Sequence, residues 1–369
     1  MKKDRVPGPR LGRGHSPPPL PRKLRHVAES APRPRVGRGA NQFMQLALLE
    51  AEKGRGRTSP NPVVGAVVVK NGRVIARGHH EKAGQPHAEV NALRAAGAKA
   101  RGADLYVTLE PCNHVGRTPP CTEAILGAGL RRVFYGSDDP NPGVRGHGAR
   151  KLRGAGVPTT GGVLREECDA SNEPWFKFIT TGLPWVVLKA AVTLDGKLAG
   201  GPQPISSDRS RALVHLWRDQ LDAILVGAGT ARKDDPLLTA RPGRNPLRVV
   251  LGAIPRNARM LREPGETIAE RGPLRGVLRR LANRGVTSLL VEGGANVHAR
   301  FLESGLWDEL RLFVAPKAFG ERALSWAGKQ RATDLQLRSV ARIDDDVLLV
   351  LRPSASAGRG RGAPRRRGA

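Results

Sequence analysis

Short apolar runs that alternate with amphipathic segments are the feature that most restricts how this chain can fold. In "VVVKNGRVIA" an Asn-Gly pair separates two apolar stretches, which predicts a β-hairpin. After it, "HAEVNALRAAG" has helical spacing, "ADLYVTLE" is typical of a strand, and "PPCTEAILGAG" predicts a second helix. Strands that are separated by helices usually pair in parallel, so we expect an α/β sheet that is mostly parallel after the first hairpin.

The same alternation starts again where Gly182 and Pro184 interrupt the chain. "WVVLKAAVT" predicts a buried strand, and "RSRALVHLWRDQLD" and "LRGVLRRLANRG" predict helices. The 369 residues are enough for two domains with separate cores. We therefore predict one α/β domain at residues 41–181 and another at 182–353, between tails at 1–40 and 354–369.

The net charge of +29 would suit a nucleic-acid partner, but its distribution weakens that interpretation. Residues 1–40 carry a net charge of +9 and residues 353–369 carry +5, both in segments rich in Pro, Gly and Arg. Such segments cannot build a core, so we expect disordered basic tails, with weak contact to RNA or an anionic surface as the alternative. No apolar run is long enough to predict a membrane span, and the first tail has no apolar core of a secretory signal. Three cysteines suit a reducing compartment, and we expect a cytoplasmic protein.

Two of the three cysteines, Cys112 and Cys121, close the segment "EPCNHVGRTPPC", and "PHAEV" upstream holds His87 and Glu89. The order His-x-Glu, Pro-Cys, Cys is that of zinc deaminases, in which the His and both Cys bind Zn²⁺ and the Glu carries protons. The pattern therefore predicts His87, Cys112 and Cys121 as ligands of one zinc ion and Glu89 as the general acid/base. We expect all three ligands at helix starts, where the helix dipole favours a thiolate.

Other interpretations of these residues are open from the sequence. Cys112 and Cys121 could form a disulfide, or could be structural cysteines beside an unrelated His-x-Glu pair. His114 could be a rival ligand, although its place two residues after Cys112 better suits a contact with substrate or with a ligand. Cys168, alone in "LREECDA", is predicted to be a half-buried helix residue.

The eight residues between the cysteines, together with "SPNPVVG", "GHHEKAGQPHAEV" and "DPNPGVRGHG", closely resemble one bacterial family. It is the family of bifunctional riboflavin-biosynthesis enzymes, which act as diaminohydroxyphosphoribosylaminopyrimidine deaminase and as aminouracil phosphoribosylamine reductase. The resemblance implies a cytidine-deaminase-like three-layer domain that removes the exocyclic amine of a phosphorylated pyrimidine as ammonia. It also implies that Asn61 and His80 contact the pyrimidine and that Arg117 binds the ribose phosphate, for which a guanidinium is well suited.

The residues of the second half indicate less by themselves. Gly293 and Gly294 lie between a predicted strand and a helix, where free amides could bind a phosphate or where the glycines could simply form a turn. The resemblance implies a dihydrofolate-reductase-like domain that uses NADPH to convert a ribosyl into a ribityl chain. The NADPH contacts that it implies are Ala191, Thr230, Asp234, Gly294, Ala295, Asn296, Val297, His298, Ala299 and Arg300. The substrate contacts that it implies are Lys189, Asp195, Arg218, Leu238, Arg241 and Glu292.

Two segments of the second half depart from the family pattern. Residues 202–206 read "PQPIS" where the family has Ser-x-Trp-Ile-Thr, and the region near 268–275 is shorter by about a helix and a strand. An alternative function is therefore a deaminase whose second domain serves only as a scaffold. A nucleic-acid deaminase is a remote alternative, because those enzymes usually have two residues between their cysteines, and a nonenzymatic nucleic-acid-binding protein would not need the four motif residues. The resemblance suggests a homodimer or homotetramer.

Overall fold

A computed structural model describes residues 38–114, 119–141, 147–199, 204–326 and 334–354. Arg117 and nearly all of both predicted tails lie outside these ranges. Within them the strands form sheets of five, eight and two members. No helix in these ranges is long and apolar enough to cross a membrane.

The five-stranded sheet has the order β2-β1-β3-β4-β5 and is built by the first half of the chain. β1 pairs antiparallel with β2 and β3, and β3, β4 and β5 are parallel. The predicted hairpin is confirmed, since Asn71 and Gly72 both take positive φ at its turn. The strands are β1 (Gly65–Lys70), β2 (Arg73–His79), β3 (Asp104–Leu109), β4 (Arg132–Ser137) and β5 (Thr159–Thr160).

Helices cover both faces of this sheet and make a three-layer unit. They are α1 (Arg38–Ala51), α2 (Ala88–Ala96), α3 (Cys121–Gly127), α4 (His147–Gly154) and α5 (Arg165–Thr181), with short 3₁₀ helices at Glu52–Gly54 and Gly97–Ala100. α1 lies so close to β1 that a Cβ at Gly65 would be 2.0 Å from the Ala47 carbonyl oxygen. Only glycine permits this approach, and it fixes the start of β1 beneath α1.

α5 was not predicted as a single helix, because Pro174 interrupts its pattern. Cys168 lies on α5. It was expected to be half-buried, but it is fully buried. Its Sγ would be 2.2 Å from a Cβ at Gly136 on β4, so the thiol occupies the space that this glycine leaves. Cys168 therefore belongs to the packing between α5 and the sheet.

The eight-stranded sheet has the order β10-β9-β8-β11-β6-β12-β15-β14. It is parallel from β10 to β12, and the hairpin of β14 and β15 adds two antiparallel strands. Its strands are β6 (Trp185–Thr193), β8 (Ala223–Gly227), β9 (Leu247–Leu251), β10 (Thr267–Glu270), β11 (Ser288–Gly293), β12 (Glu309–Ala315), β14 (Leu335–Ile343) and β15 (Asp346–Pro353), while β7 (Lys197–Ala199) pairs with β13 (Leu324–Ser325).

The helices around this sheet are α6 (Asp208–Gln220), α7 (Ala228–Lys233), α8 (Leu274–Asn283) and α9 (Ala295–Ser304), with a 3₁₀ turn at Arg259–Arg262. The glycine-containing segment directly after β8 forms the short helix α7 rather than a turn. The shortened region near 268–275 still supplies an edge strand, β10, that pairs with β9 and leads through three residues into α8. The β14–β15 hairpin was not predicted.

Candidate functional site

The three predicted zinc ligands lie together beside the five-stranded sheet. His87 immediately precedes α2, and Cys121 is the first residue of α3. Their donor atoms, with the Sγ of Cys112, all lie within 4.8 Å of one another. His87 Nδ1 is 3.2 Å from Cys121 Sγ and 3.5 Å from Cys112 Sγ. The end of β3 and the starts of α2 and α3 therefore bring the three predicted ligands together.

The expectation that all three ligands begin helices is wrong for Cys112. It lies in the loop after β3, where its Sγ accepts a 3.4 Å hydrogen bond from the backbone N–H of Cys121. The amino-terminal end of α3 therefore contacts Cys112 through the Cys121 amide, and Cys112 itself is not part of a helix. All three cysteines of the chain are free, so the disulfide alternative is not realised.

The donor set fits a zinc ion by its chemistry. Two sulfur atoms and one imidazole nitrogen are the donors that catalytic zinc sites of this kind use, and three ligands leave one position open. Hydrogen bonds from Cys121 and His87 lower the pKa of Cys112, so a thiolate forms readily there. The hydrogen bond with Cys112 and burial raise the pKa of Cys121. A bound divalent cation would favour the thiolate form of both cysteines.

Glu89 lies in the first turn of α2, two residues after His87, and is only 4% exposed. Burial, with the Cys112 charge, raises its pKa to about 7. It lines a cavity of about 400 Å³ with His87 and Cys112. A carboxyl group with this pKa can both accept and donate a proton near neutral pH, as a general acid/base must.

Asn61 and His80 line the same cavity, and Asn61 Nδ2 is 3.1 Å from His80 Nε2. The other ring nitrogen of His80, Nδ1, donates a hydrogen bond to the carbonyl oxygen of Pro86 at 3.1 Å. Burial lowers the pKa of His80, so the ring is neutral, with Nε2 as an acceptor of the Asn61 amide. His114 is exposed at the cavity, outside the three-ligand group.

Some cavity residues were missed from the sequence. Trp175, Phe178 and Ile179 of α5 form an apolar wall, and Asp139 adds a carboxyl group just after β4. Burial raises the pKa of Asp139 to about 6, although its Oδ1 accepts the Asn141 N–H at 2.8 Å. The position of Asp139 at the carboxyl end of a parallel strand was the available signal, whereas the wall depends on how α5 packs.

In the second half, Arg218 and Glu292 form a nearly buried pair. The Arg218 Nε and Nη2 donate to the two carboxylate oxygens at 2.7 Å each. Burial is the largest single influence on Glu292 and opposes its ionisation, but the charge and hydrogen bonds of Arg218 together with neighbouring positive charges outweigh it and lower the pKa of Glu292. Lys189 on β6 is close enough to add to this effect, and burial lowers the pKa of Lys189 itself. Three of the predicted substrate contacts thus meet in one charged cluster.

The remaining predicted residues are more scattered. Asp195 accepts the amides of Phe319 and Gly320, at 2.8 Å for the shortest, and also the Thr193 hydroxyl. Arg241 donates to Thr239 Oγ1 at 3.1 Å. Leu238 is buried, Ala191 is half-buried on β6, and Asp234 is exposed at the end of α7.

The segment from Gly294 to Arg300 starts α9, as predicted, but the backbone N–H of Gly294 already has a hydrogen-bond partner. The Gly294 N–H donates to Thr230 Oγ1 at 2.9 Å, so this amide is not free to bind a phosphate. Val297 and His298 point into the interior, whereas Asn296 and Arg300 are exposed and Ala295 and Ala299 are half-buried. Arg300 donates to the Gly272 carbonyl oxygen at 3.3 Å.

His298 allows a prediction about pH and stability. It is 1% exposed, and burial lowers its pKa to about 4, below the ordinary value of 6.5. Because the unfolded chain then binds a proton that the folded chain does not, stability should fall as pH decreases from about 6.5 to about 4, by up to about 3 kcal/mol. Urea unfolding at pH 7 and pH 5 measures the difference, and His298→Met should reduce it. An unchanged pH dependence in that variant would contradict this assignment.

Comparison with known proteins agrees with this division into two halves. Residues 38–137 match the family model described as the cytidine and deoxycytidylate deaminase zinc-binding region, and residues 184–349 match the RibD C-terminal domain. The fold and site thus define a deaminase of the zinc-binding class joined to a reductase-type domain, which confirms the predicted cytidine-deaminase-like and dihydrofolate-reductase-like folds.

Curated relatives and solved structures match most of the chain. The riboflavin biosynthesis protein RibD of Aquifex aeolicus is 44% identical over 76% of this chain and 87% of its own length. The Escherichia coli protein of that name is 36% identical over 84% and 98%. The Acinetobacter baumannii RibD structure superposes with a TM-score of 0.81 at 35% identity, covering 86% of this chain and 99% of the other. The chain belongs to the RibD family of riboflavin biosynthesis proteins.

Proposed function

We propose that the protein catalyses two successive steps of riboflavin biosynthesis. The first is hydrolytic deamination of 2,5-diamino-6-(5-phosphoribosylamino)pyrimidin-4-one, and the second is NADPH-dependent reduction of the ribosyl to a ribityl side chain. The observation that carries the proposal is the group of His87, Cys112 and Cys121 beside buried Glu89 in one cavity, in a chain of this family. A related Thermotoga maritima structure is described as such a deaminase and reductase, with 38% identity and a TM-score of 0.80 over 86% of this chain and 99% of the other.

In the deaminase half, His87, Cys112 and Cys121 would hold Zn²⁺, which supplies Lewis-acid activation of water when bound. Hydrolysis forms a bond from the oxygen of water to the ring carbon and breaks the bond from that carbon to the exocyclic amine. Glu89 would take up a proton from this water on its carboxylate and deliver it to the leaving amine, so that ammonia departs as a neutral molecule. Asn61 and neutral His80 face the cavity with polar atoms that can orient the pyrimidine. Arg117, outside the described residues, is proposed to bind the ribose phosphate.

In the reductase half, NADPH would supply the hydride, and the protein positions the sugar. Arg218, Glu292 and Lys189 form the charged cluster that we assign to the phosphorylated substrate, with Asp195, Leu238 and Arg241 as further contacts. The proposed NADPH contacts are the residues implied by the resemblance: Ala191, Thr230, Asp234 and the segment 294–300. Since the Gly294 amide already binds Thr230, these two residues would contact NADPH as a connected pair.

The proposal includes domains at 41–181 and 182–353, a cytoplasmic location and a homo-oligomer. The oligomer is supported by the outer strand β14, on which Leu337 and Val340 are 54% and 53% exposed. Such apolar exposure on an edge strand is usually covered in solution. Sedimentation velocity of the full chain distinguishes a monomer from a dimer or tetramer.

The decisive test of the two reactions is mass spectrometry of the products formed from the phosphoribosylaminopyrimidine substrate, with and without NADPH. We expect the deaminated ribosyl product without NADPH and the deaminated ribityl product with it. A deaminated ribosyl product under both conditions, with no NADPH binding below millimolar concentration, would favour the scaffold alternative. An unchanged substrate under both conditions would overturn the proposal.

A further inference from the structure

The loop of residues 55–62, which carries Asn61 into the deaminase cavity, is also in contact with the other half of the molecule. At Gly56, with φ of +74°, a Cβ would be 2.5 Å from the Asp219 carbonyl oxygen. Ser59 Oγ is 3.2 Å from Thr287 Oγ1 at the start of the segment that leads into β11. The 55–62 loop therefore lies between the cavity and the eight-stranded sheet.

Asp219, in the last turn of α6, makes the strongest of these contacts. Arg57 Nη2 donates to its two carboxylate oxygens at 2.8 and 3.1 Å, and Arg57 Nη1 donates to its carbonyl oxygen at 3.2 Å. Charge-assisted hydrogen bonds with two partner oxygens restrict direction as well as distance. They fix the 55–62 loop four residues before Asn61.

The same carboxylate also holds a turn of the second half. Asp219 Oδ1 accepts the backbone N–H of Arg244 at 2.6 Å, and a Cβ at Gly243 would be 2.4 Å from that oxygen. This turn follows Arg241, which we assign to the reductase substrate. The Asp219 side chain therefore holds two segments. The 55–62 loop contributes to the proposed deaminase site, and the turn after Arg241 contributes to the proposed reductase site.

The residue before Asp219 completes the arrangement. Arg218 pairs with Glu292 in the charged cluster and donates to the Thr239 carbonyl oxygen at 3.1 Å. Consecutive residues of a helix point about 100° apart, so Arg218 and Asp219 leave α6 in different directions. Arg218 faces the reductase cluster, and Asp219 faces the 55–62 loop.

We propose that Asp219 is a positioning residue for both reactions. Through Arg57 it holds the loop that presents Asn61 to the pyrimidine, and through the Arg244 amide it holds the turn that presents Arg241 to the reductase substrate. The statement about catalysis rests on the proposed function, whereas the statement about the two segments rests on the contacts alone. Arg57 serves the deaminase side only.

The test compares Asp219→Ala with Arg57→Met in the full zinc-loaded chain, with ammonia release and NADPH oxidation assayed separately. Arg57→Met should raise the KM of deamination about threefold to tenfold, as expected for losing charge-assisted bonds at a half-exposed pair, with kcat and the reductase KM within about twofold. Asp219→Ala, which removes both side-chain acceptor oxygens, should raise both KM values. Asp208→Ala, at the exposed start of α6, is the matched control and should change neither.

Hydrogen–deuterium exchange gives a readout that does not need activity. Exchange in the 55–62 loop should rise about tenfold in both variants, and exchange in residues 241–244 should rise in Asp219→Ala alone. Unchanged exchange and KM values in a folded Asp219→Ala protein would overturn the positioning role, and so would a loss confined to kcat. A wild-type protein without either activity would overturn the proposed function, while the exchange pattern would still decide the role of Asp219.

Discussion

Replacing Glu89 by Gln is expected to slow ammonia release by about two to four orders of magnitude, because positioned proton transfer contributes about that much to a reaction of this kind. Gln keeps the size of the side chain but cannot take up a proton, so the zinc content should stay at that of the wild type. NADPH oxidation with the deaminated intermediate should also be unchanged. Ammonia release under saturating substrate, with metal analysis of the same sample, measures both effects.

A matched control is Glu123→Gln on α3. Glu123 is two residues from Cys121, but its side chain is 58% exposed and pairs with Lys151 at the surface. Exposed ion pairs contribute little, so this variant should release ammonia at the wild-type rate. If Glu89→Gln retained zinc and released ammonia normally, Glu89 would not be the general acid/base.

Removing a zinc ligand is expected to reduce ammonia release at least as strongly as Glu89→Gln, but through loss of the metal ion rather than loss of proton transfer. Cys112→Ser and Cys121→Ser each replace a thiolate by a hydroxyl, a much poorer zinc donor. The zinc content should fall to less than about one tenth of the wild-type value, and ammonia release should fall below detection, because structural fit and ligand count set the affinity. Metal analysis after dialysis against a weak chelator checks the first result, and an ammonia assay checks the second.

Cys168→Ala serves as the control for these variants. Cys168 is fully buried between α5 and β4, far along the chain from the cavity motif, so its loss should cost some stability and leave the zinc content unchanged. Retention of stoichiometric zinc by Cys121→Ser would contradict the ligand assignment. Added Zn²⁺ should not restore activity to either ligand variant.

The deaminase motif could be predicted because its signals are local. The His-x-Glu spacing and the Pro-Cys pair each fit within one turn or one strand end, and the flanking patterns predicted the strand before Cys112 and the helices that begin beside His87 and Cys121. The structure confirms that the three donor atoms converge. What local patterns could not show is that Cys112 lies in a loop and receives its helix contact from the amide of Cys121.

The second half was less predictable for a physical reason. The charged cluster of Arg218, Glu292 and Lys189 joins residues that are up to 103 positions apart, so no local pattern indicates it. In the first half, α5 was not predicted as a single helix because Pro174 weakens its helical signal, and the apolar wall that α5 gives the cavity was therefore missed. The contact of Arg57 with Asp219 spans 162 positions and involves two ordinary surface residue types. Such pairs become visible only after the chain has folded.

The short connection after α5 bears on how these two enzymes could be separated. α5 ends at Thr181 and β6 begins at Trp185, so a helix that lines the first cavity continues after three residues into a central strand of the second sheet. Lys177 on that helix donates to Asp308 at 2.5 Å, and Arg352 binds Glu173 at 2.6 Å. A deaminase cut free at this point would lose the partners of its own cavity wall. Because α5 is held by residues of the second half, recombining halves between relatives should require matched contacts as well as a joined reading frame.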